Sequence, residues 1–196
     1  MENKKTRVCP LERADHLDTR WRRWTQNPHR VLSPYLKKGM RALDFGCGPG
    51  FFTIEMARLV GSSGHVFAAD LQEGMLEKLK ARIGDSELAG RITLHKCQDD
   101  QIGLNDAIDF ALAYYVMHEL PDQAAFFREL AVLLIPGGEV LIVEPPFHAS
   151  RKGFVKMIEK ATAAGFRTVE GPKGLFNKLV RLKKEPGAAL QAVKGE

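Results

Sequence analysis

The sequence predicts an α/β fold built on a mainly parallel sheet, and three observations carry that expectation. Strand-like segments alternate with helical segments of about ten residues or more, the signature of βαβ units. The run at 107–115 is almost continuously apolar, as in a strand buried on both faces. A glycine-rich turn leaves the first strand and enters a helix. The chain has 196 residues, enough for one domain of roughly 150 residues with short extensions. It is 44% hydrophobic and 27% charged, which excludes a wholly disordered or fibrous chain.

Each element follows from local pattern. At 11–25 the apolar positions Leu11, Ala14, Leu17, Trp21 and Trp24 recur at three- and four-residue spacing, one stripe of a helix. Asn27 and Pro28 break it, and Pro28 suits the first turn of a second short helix reaching Leu36, which Gly39 ends. A strand is expected at 40–45, a helix at 52–60 and a turn at Gly61-Ser62-Ser63-Gly64. A strand then follows at 65–70, a helix at 72–83, an alternating strand at 91–97 and the buried strand at 107–115. The pattern continues with a helix at 121–134, a turn at Pro136-Gly137-Gly138 and a strand at 139–144. A helix at 151–164 and strands at 166–170 and 177–184 complete it, leaving a frayed tail at 185–196.

Several classes are excluded. No apolar stretch approaches the ~18 residues of a membrane helix. Residues 1–7 are polar and basic with no apolar segment behind them, so no signal peptide is expected and a cytoplasmic location is. Cys9, Cys47 and Cys97 form neither a disulfide framework nor a Cys-x-x-Cys zinc signature. Charge is uneven. Residues 1–41 and residues 151–196 each hold eleven Lys/Arg against four Asp/Glu, whereas 42–150 hold seven against sixteen. Two basic arms flanking an acidic centre fit contact with a polyanion; they also fit a cationic ligand in the centre with the arms merely solvated.

The segment Leu43-Asp44-Phe45-Gly46-Cys47-Gly48-Pro49-Gly50 is the sharpest signal. Glycines permit positive φ and close approach of backbone to ligand, and ligands of open α/β sheets bind at strand carboxyl ends beside such turns. A dinucleotide fingerprint needs Gly-x-Gly-x-x-Gly, but the third glycine here is Gly50 and position 51 is Phe. Asp44 would repel a pyrophosphate and attract an ammonium or sulfonium. Asp70, ending the second strand, is placed to accept hydrogen bonds from a ribose diol.

These residues, with the Pro136-Gly137-Gly138 turn, resemble class I S-adenosylmethionine-dependent methyltransferases over roughly 38–184. The resemblance implies a Rossmann-like three-layer sandwich whose seven strands run 3-2-1-4-5-7-6, the last antiparallel. It preceded by an N-terminal helical extension at 1–37. It implies S-adenosylmethionine as cofactor, with the methionine moiety against Asp44, Gly46 and Cys47 and the backbone at Gly48 and Gly50 following the ligand. Asp70 would hold the ribose, Leu71 and Met75 would cover the adenine, and Gln98 and Asp99 would meet its amino edge. The commonest family form has Gly-Asp near 97–98, where this chain has Cys97-Gln98. Small size without insertions resembles the small-molecule branches that include the ubiquinone/menaquinone-pathway and arsenite enzymes. An arsenite enzyme needs several converging cysteines, and only Cys9 is free to supply one.

On the acceptor side, Tyr114, Tyr115, His118 and Glu119 follow the fourth strand. His118 is the candidate base, since its ordinary pKa lies near neutrality; a histidine hydrogen-bonded beneath the next helix is the alternative, and Tyr114 is the second catalytic candidate. Glu144-Pro145-Pro146-Phe147-His148 resembles the Asp/Asn-Pro-Pro-Tyr/Phe motif of amino-methylating enzymes. It follows the fifth strand rather than the fourth and begins with Glu, so it reads as a turn through which Glu144 or His148 reaches substrate. The N-terminal helix offers His16, Trp21 and Trp24 as a lid over the pocket, or as residues docking the helix on the sheet. The expected function is methyl transfer to a small-molecule acceptor, without metal. Alternatives are an RNA or protein methyltransferase using the basic termini, or a catalytically silent cofactor-binding subunit.

Overall fold

A computed structural model describes residues 26–98, 101–146, 150–170 and 178–186. The expected helix at 11–25, with His16, Trp21 and Trp24, lies outside the described residues, as do Asp99, His148 and most of the expected tail. The first described helix, α1 (Pro28–Leu32), is capped by Asn27, whose side chain accepts the Arg30 N–H at 3.2 Å. It stops short of Leu36 because Pro34 has no N–H to continue the ladder. The chain goes on as a turn in which the Tyr35 and Leu36 N–H groups both donate to the Leu32 carbonyl.

β1 (Arg41–Phe45), α2 (Thr53–Val60), β2 (His65–Asp70), α3 (Glu73–Ile83) and β3 (Ile92–Lys96) follow. β4 (Ile108–Tyr114), α4 (Gln123–Leu133), β5 (Leu134–Glu144), α5 (Arg151–Ala163), β6 (Phe166–Val169) and β7 (Lys178–Lys184) complete the order. Among the described residues the sheet has seven strands in the order β3-β2-β1-β4-β5-β7-β6. β7 runs antiparallel to both β5 and β6, and the pairings among β1 to β5 are parallel.

Side chains alternate between two core clusters, as a strand's period of two requires. Leu43, Phe45, Ala111 and Ala113 pack with Phe126, Phe127 and Leu130 of α4 on one face. Ala42, Phe110 and Leu112 pack with Leu32, Met56 and Leu79 on the other. The result is three layers.

One boundary differs from the sequence pattern. β5 begins at Leu134, directly after α4, rather than after the Pro136-Gly137-Gly138 turn. Ile108 pairs with Leu134 and Phe110 with Glu139, so residues 135–138 form an irregularity within the strand. The turn chemistry is present, but pairing resumes on both sides of it.

The strand order reverses between β2-β1 and β1-β4. Phe45 stands opposite Ala69 on one side and Ala113 on the other. The carboxyl ends of β1, β2 and β4 therefore meet at the topological switch point, where open α/β sheets bind ligands.

Candidate active site

The loop after β1 is stitched to the end of β2. The N–H groups of Gly46 and Cys47 both donate to the Ala69 carbonyl, at 2.8 and 3.1 Å. Gly46 has φ +72°, and a Cβ there would lie 2.6 Å from a Val116 methyl. Only glycine fits both the conformation and the space.

Gly48, with φ +53°, turns its N–H to Asp70, donating to Oδ2 at 2.8 Å. The Gln72 N–H donates to Oδ1 of the same carboxylate at 2.9 Å. Burial pushes the Asp70 carboxyl above its usual range, while bonds from the Gln72, Gly48 and Leu71 backbone work against that rise. Asp44 is 2% exposed and accepts the Thr53 hydroxyl at 2.6 Å. Arg82, near the end of α3, donates to the Pro49 carbonyl at 2.6 Å and braces the loop from behind.

The glycine loop, Asp44 and Asp70 wall one cleft of about 1060 Å³, open mouth included. Asp44, Gly46, Cys47, Gly48, Asp70, Leu71, Met75 and Gln98 line one part of it; Phe51, Phe52, Tyr114, Tyr115 and Glu119 line another. The charged groups among these lining residues are all carboxylates, in keeping with the acidic centre of the sequence. The aromatic part is continuous. The Phe52 and Tyr114 ring centroids are 4.3 Å apart, and those of Tyr114 and Tyr115 are 4.4 Å apart. Tyr115 has φ +61°, rare for a bulky residue, and its hydroxyl accepts from Gln26 Nε2 at 3.1 Å.

Two thiols sit in the wall without nucleophilic character. Burial, then the Asp44 and Asp70 carboxylates, hold Cys47 well above the ordinary thiol value. Burial above all pushes Cys97 up to about 12. Both remain protonated and act as small packed residues.

Three expected site residues stand elsewhere. Gly50 (φ +84°) is behind the cleft, where an added Cβ would strike the Leu79 side chain; it serves the packing of α3 against the loop. Glu144, expected at the substrate, is 1% exposed. Its Oε1 accepts the Met117 N–H at 3.1 Å and its Oε2 pairs with His118 Nδ1 at 2.8 Å. Burial and these partners turn Glu144 inward to hold the turn after β4. His118 itself is part-buried on that carboxylate and is not among the residues lining the cleft, although its neighbour Glu119 is. The hydrogen bond that Glu144 accepts holds His118 above the ordinary imidazole value, with burial opposing and Glu119 assisting.

Thr53, Val116 and Arg82 were not legible as site residues from motif spacing. Arg82 had a faint signal. It falls on the α3 face that carries Met75 and Leu79, at helical spacing from both.

The surroundings fit a nucleoside-bearing cation. Two buried carboxylates disfavour a pyrophosphate and complement a sulfonium and an ammonium. Among the described residues no cluster of three or more metal-ligating side chains occurs, and no helix is long and apolar enough to cross a membrane.

Comparison with known proteins agrees. A family described as a methyltransferase domain matches residues 36–187. A ubiquinone/menaquinone biosynthesis C-methyltransferase of Vibrio vulnificus (strain YJ016) is 27% identical over 125 residues, 63% of this chain and 46% of that protein. A demethylmenaquinone methyltransferase of Staphylococcus aureus (strain MRSA252) is 31% identical over 112 residues, 56% of this chain and 44% of that protein. This chain spans about half the length of the curated relatives it matches. In three dimensions it is similar to a SAM dependent methyltransferase from Aquifex aeolicus. The TM-score is 0.80 at 25% identity, covering 90% of this chain and 99% of the other. With the family match extending over most of its length, this chain belongs to the methyltransferase-domain family, of the class I type that uses S-adenosylmethionine.

Proposed function

We propose that this chain transfers the methyl group of S-adenosylmethionine to a small, planar acceptor of the quinol type, in the cytoplasm. The observation that carries the reading is a single cleft joining two buried carboxylates to a wall of aromatic rings. When bound, the cofactor supplies a methyl group on a sulfonium, open to in-line attack. Asp44 faces the positive charge of the methionine part, Asp70 accepts from the ribose hydroxyls, and Cys47 packs beside them. Leu71 and Met75 cover the purine, whose amino edge Gln98 meets. Gly46 and Gly48 let the backbone approach.

Phe52, Tyr114 and Tyr115 hold the acceptor flat and exclude water, which supplies near-attack geometry. Residues 1–37 act as the cover, anchored at Tyr115 through Gln26. His118 stands just outside the cleft, one residue from the lining Glu119; with Nδ1 engaged by Glu144, its Nε2 would take up the acceptor's proton by way of solvent at the cleft's lip. The quinone-methylating relatives support the acceptor class, and the aromatic wall suits it.

Calorimetric titration with S-adenosylhomocysteine and, separately, NAD tests the cofactor. Micromolar binding of the first and none of the second is expected; NAD binding alone would overturn the argument from Asp44. Turnover of a demethylmenaquinol with labelled methyl donor then tests the acceptor, and its absence alongside good cofactor binding would refute the quinol class.

Glu144→Gln tests the His118 assignment through pH. Removing the carboxylate lowers the histidine's pKa, so the acid limb of kcat/KM should move to lower pH; an unmoved limb would retire His118 as base. Stability should respond as well. A histidine whose folded pKa is raised contributes stability that is fully present below its ordinary value of about 6.5 and lost as pH rises through the raised value. Thermal unfolding should therefore separate wild type from variant more at about pH 6 than at about pH 9.

A further inference from the structure

Glu129 on α4 takes no part in the chemistry above, yet both its carboxylate oxygens are spent on one loop. Oε2 accepts the Ile102 N–H at 2.7 Å and Oε1 accepts the Gly103 N–H at 2.6 Å. These are charge-assisted bonds to two consecutive backbone donors. From the other side, His95 Nε2 donates to the Ile102 carbonyl at 2.6 Å. A carbonyl only accepts, so Nε2 carries the proton. The Ile102 side chain is buried. Ile102 and Gly103 are thus a fixed point, clamped between α4 and β3.

That fixed point governs the cofactor wall. Gln98 and Gln101 exchange backbone hydrogen bonds at 3.2 and 3.4 Å, so Gln98 is tied through Gln101 to the residue that Glu129 holds. Gln98 lines the cleft and also a second, small pocket whose other walls include Gln101, Ile102 and Glu129. Glu129 shares that small pocket with Gln98 and does not itself line the cleft.

We propose that Glu129 is a specificity-positioning residue: it fixes the loop that presents Gln98 to the purine edge, and so sets discrimination between a 6-amino and a 6-oxo purine. The inference rests on the cofactor reading given under Proposed function. Its physical basis is that hydrogen bonds weaken steeply with misalignment. A site built to bond one edge pattern rejects the other only while its own groups are held in place.

The test is calorimetric titration of the full chain with S-adenosylhomocysteine and with S-inosylhomocysteine. Wild type should prefer the adenosyl compound. Glu129→Gln keeps shape and volume but faces an amide NH2 toward a backbone N–H. It should weaken S-adenosylhomocysteine binding by about tenfold, the size of one lost charge-assisted bond, and bring the two affinities to within about twofold of each other. His95→Leu, on the opposite side of the clamp, should erode the same preference, and carries the test should Glu129→Gln fail to fold.

Equal weakening of both ligands, with the preference intact, would make Glu129 merely structural and overturn the proposal. So would unchanged affinities, or a wild type that does not distinguish the ligands. A wild type that binds neither would instead overturn the cofactor reading itself.

Discussion

Gly48→Val should abolish measurable binding of S-adenosylhomocysteine, a loss of at least about 100-fold, which corresponds to about 2.7 kcal/mol. Two effects combine. Gly48 sits at φ +53°, and a non-glycine residue held in the left-handed region costs roughly 1–2 kcal/mol; a β-branched one is worse. Relief of that strain would swing the backbone and break the 2.8 Å bond from the Gly48 N–H to Asp70. The ribose carboxylate would then lose the partner that orients it. The valine side chain also occupies volume in a cleft that Gly48 itself lines.

The fold should survive, because the loop keeps two further bonds to β2, from the Gly46 and Cys47 N–H groups to the Ala69 carbonyl. Circular dichroism should show native secondary structure, and thermal unfolding should remain cooperative at a somewhat lower midpoint. Gly48→Ala should fall between the two. Wild-type affinity in the valine variant would mean that the cofactor does not approach this backbone at all.

Much of the geometry of this candidate site is legible in the sequence, and the reason is topological. The glycine loop, Asp44 and Asp70 belong to two adjacent parallel strands whose ends the topology brings together. Spacing along the chain therefore translates directly into spacing in the cleft. The strand order followed from the family resemblance, because periodicity shows that strands alternate with helices but not which strands pair.

What the sequence concealed were contacts between elements distant in the chain. Glu144 looked like a substrate ligand because it ends a strand beside two prolines. Its burial, and the pairing of its carboxylate with Met117 and His118, depend on how β5 packs beside the turn after β4. No local pattern encodes that. Glu129 and Arg82 are similar cases, since each is a charged helical residue of the kind that usually faces solvent. Only the loop laid across each one reveals its partner. Gly50 erred the other way: it shares the motif's glycine spacing, but its lack of a side chain serves Leu79 rather than a ligand.

Asp70→Ala should weaken S-adenosylhomocysteine by about 100-fold or more, since two hydrogen bonds from a diol to a carboxylate are each worth about 1.5–3 kcal/mol. The informative part is what happens to stability. Asp70 accepts from Gly48 and Gln72, so its removal should destabilise the apoprotein. Yet burial has raised the Asp70 carboxyl above its usual value, so holding it ionised near neutrality already costs the fold free energy, and alanine removes that cost.

The two effects oppose each other, and the midpoint of thermal unfolding should move by no more than about 2–4 °C near pH 7, the shift expected for about 1 kcal/mol in a chain of this size. The sign of the pH dependence follows. A carboxyl whose folded pKa is raised favours the folded state below its unfolded value and loses that contribution as pH rises through the folded one. Wild type should therefore gain on the variant as pH falls from about 7 toward about 4. Unchanged affinity would place the ribose elsewhere. A variant that unfolds outright would mean that Asp70 exists to hold the loop, with cofactor binding secondary. A large loss of affinity with little loss of stability is the pattern of a carboxylate kept for its ligand at the fold's expense.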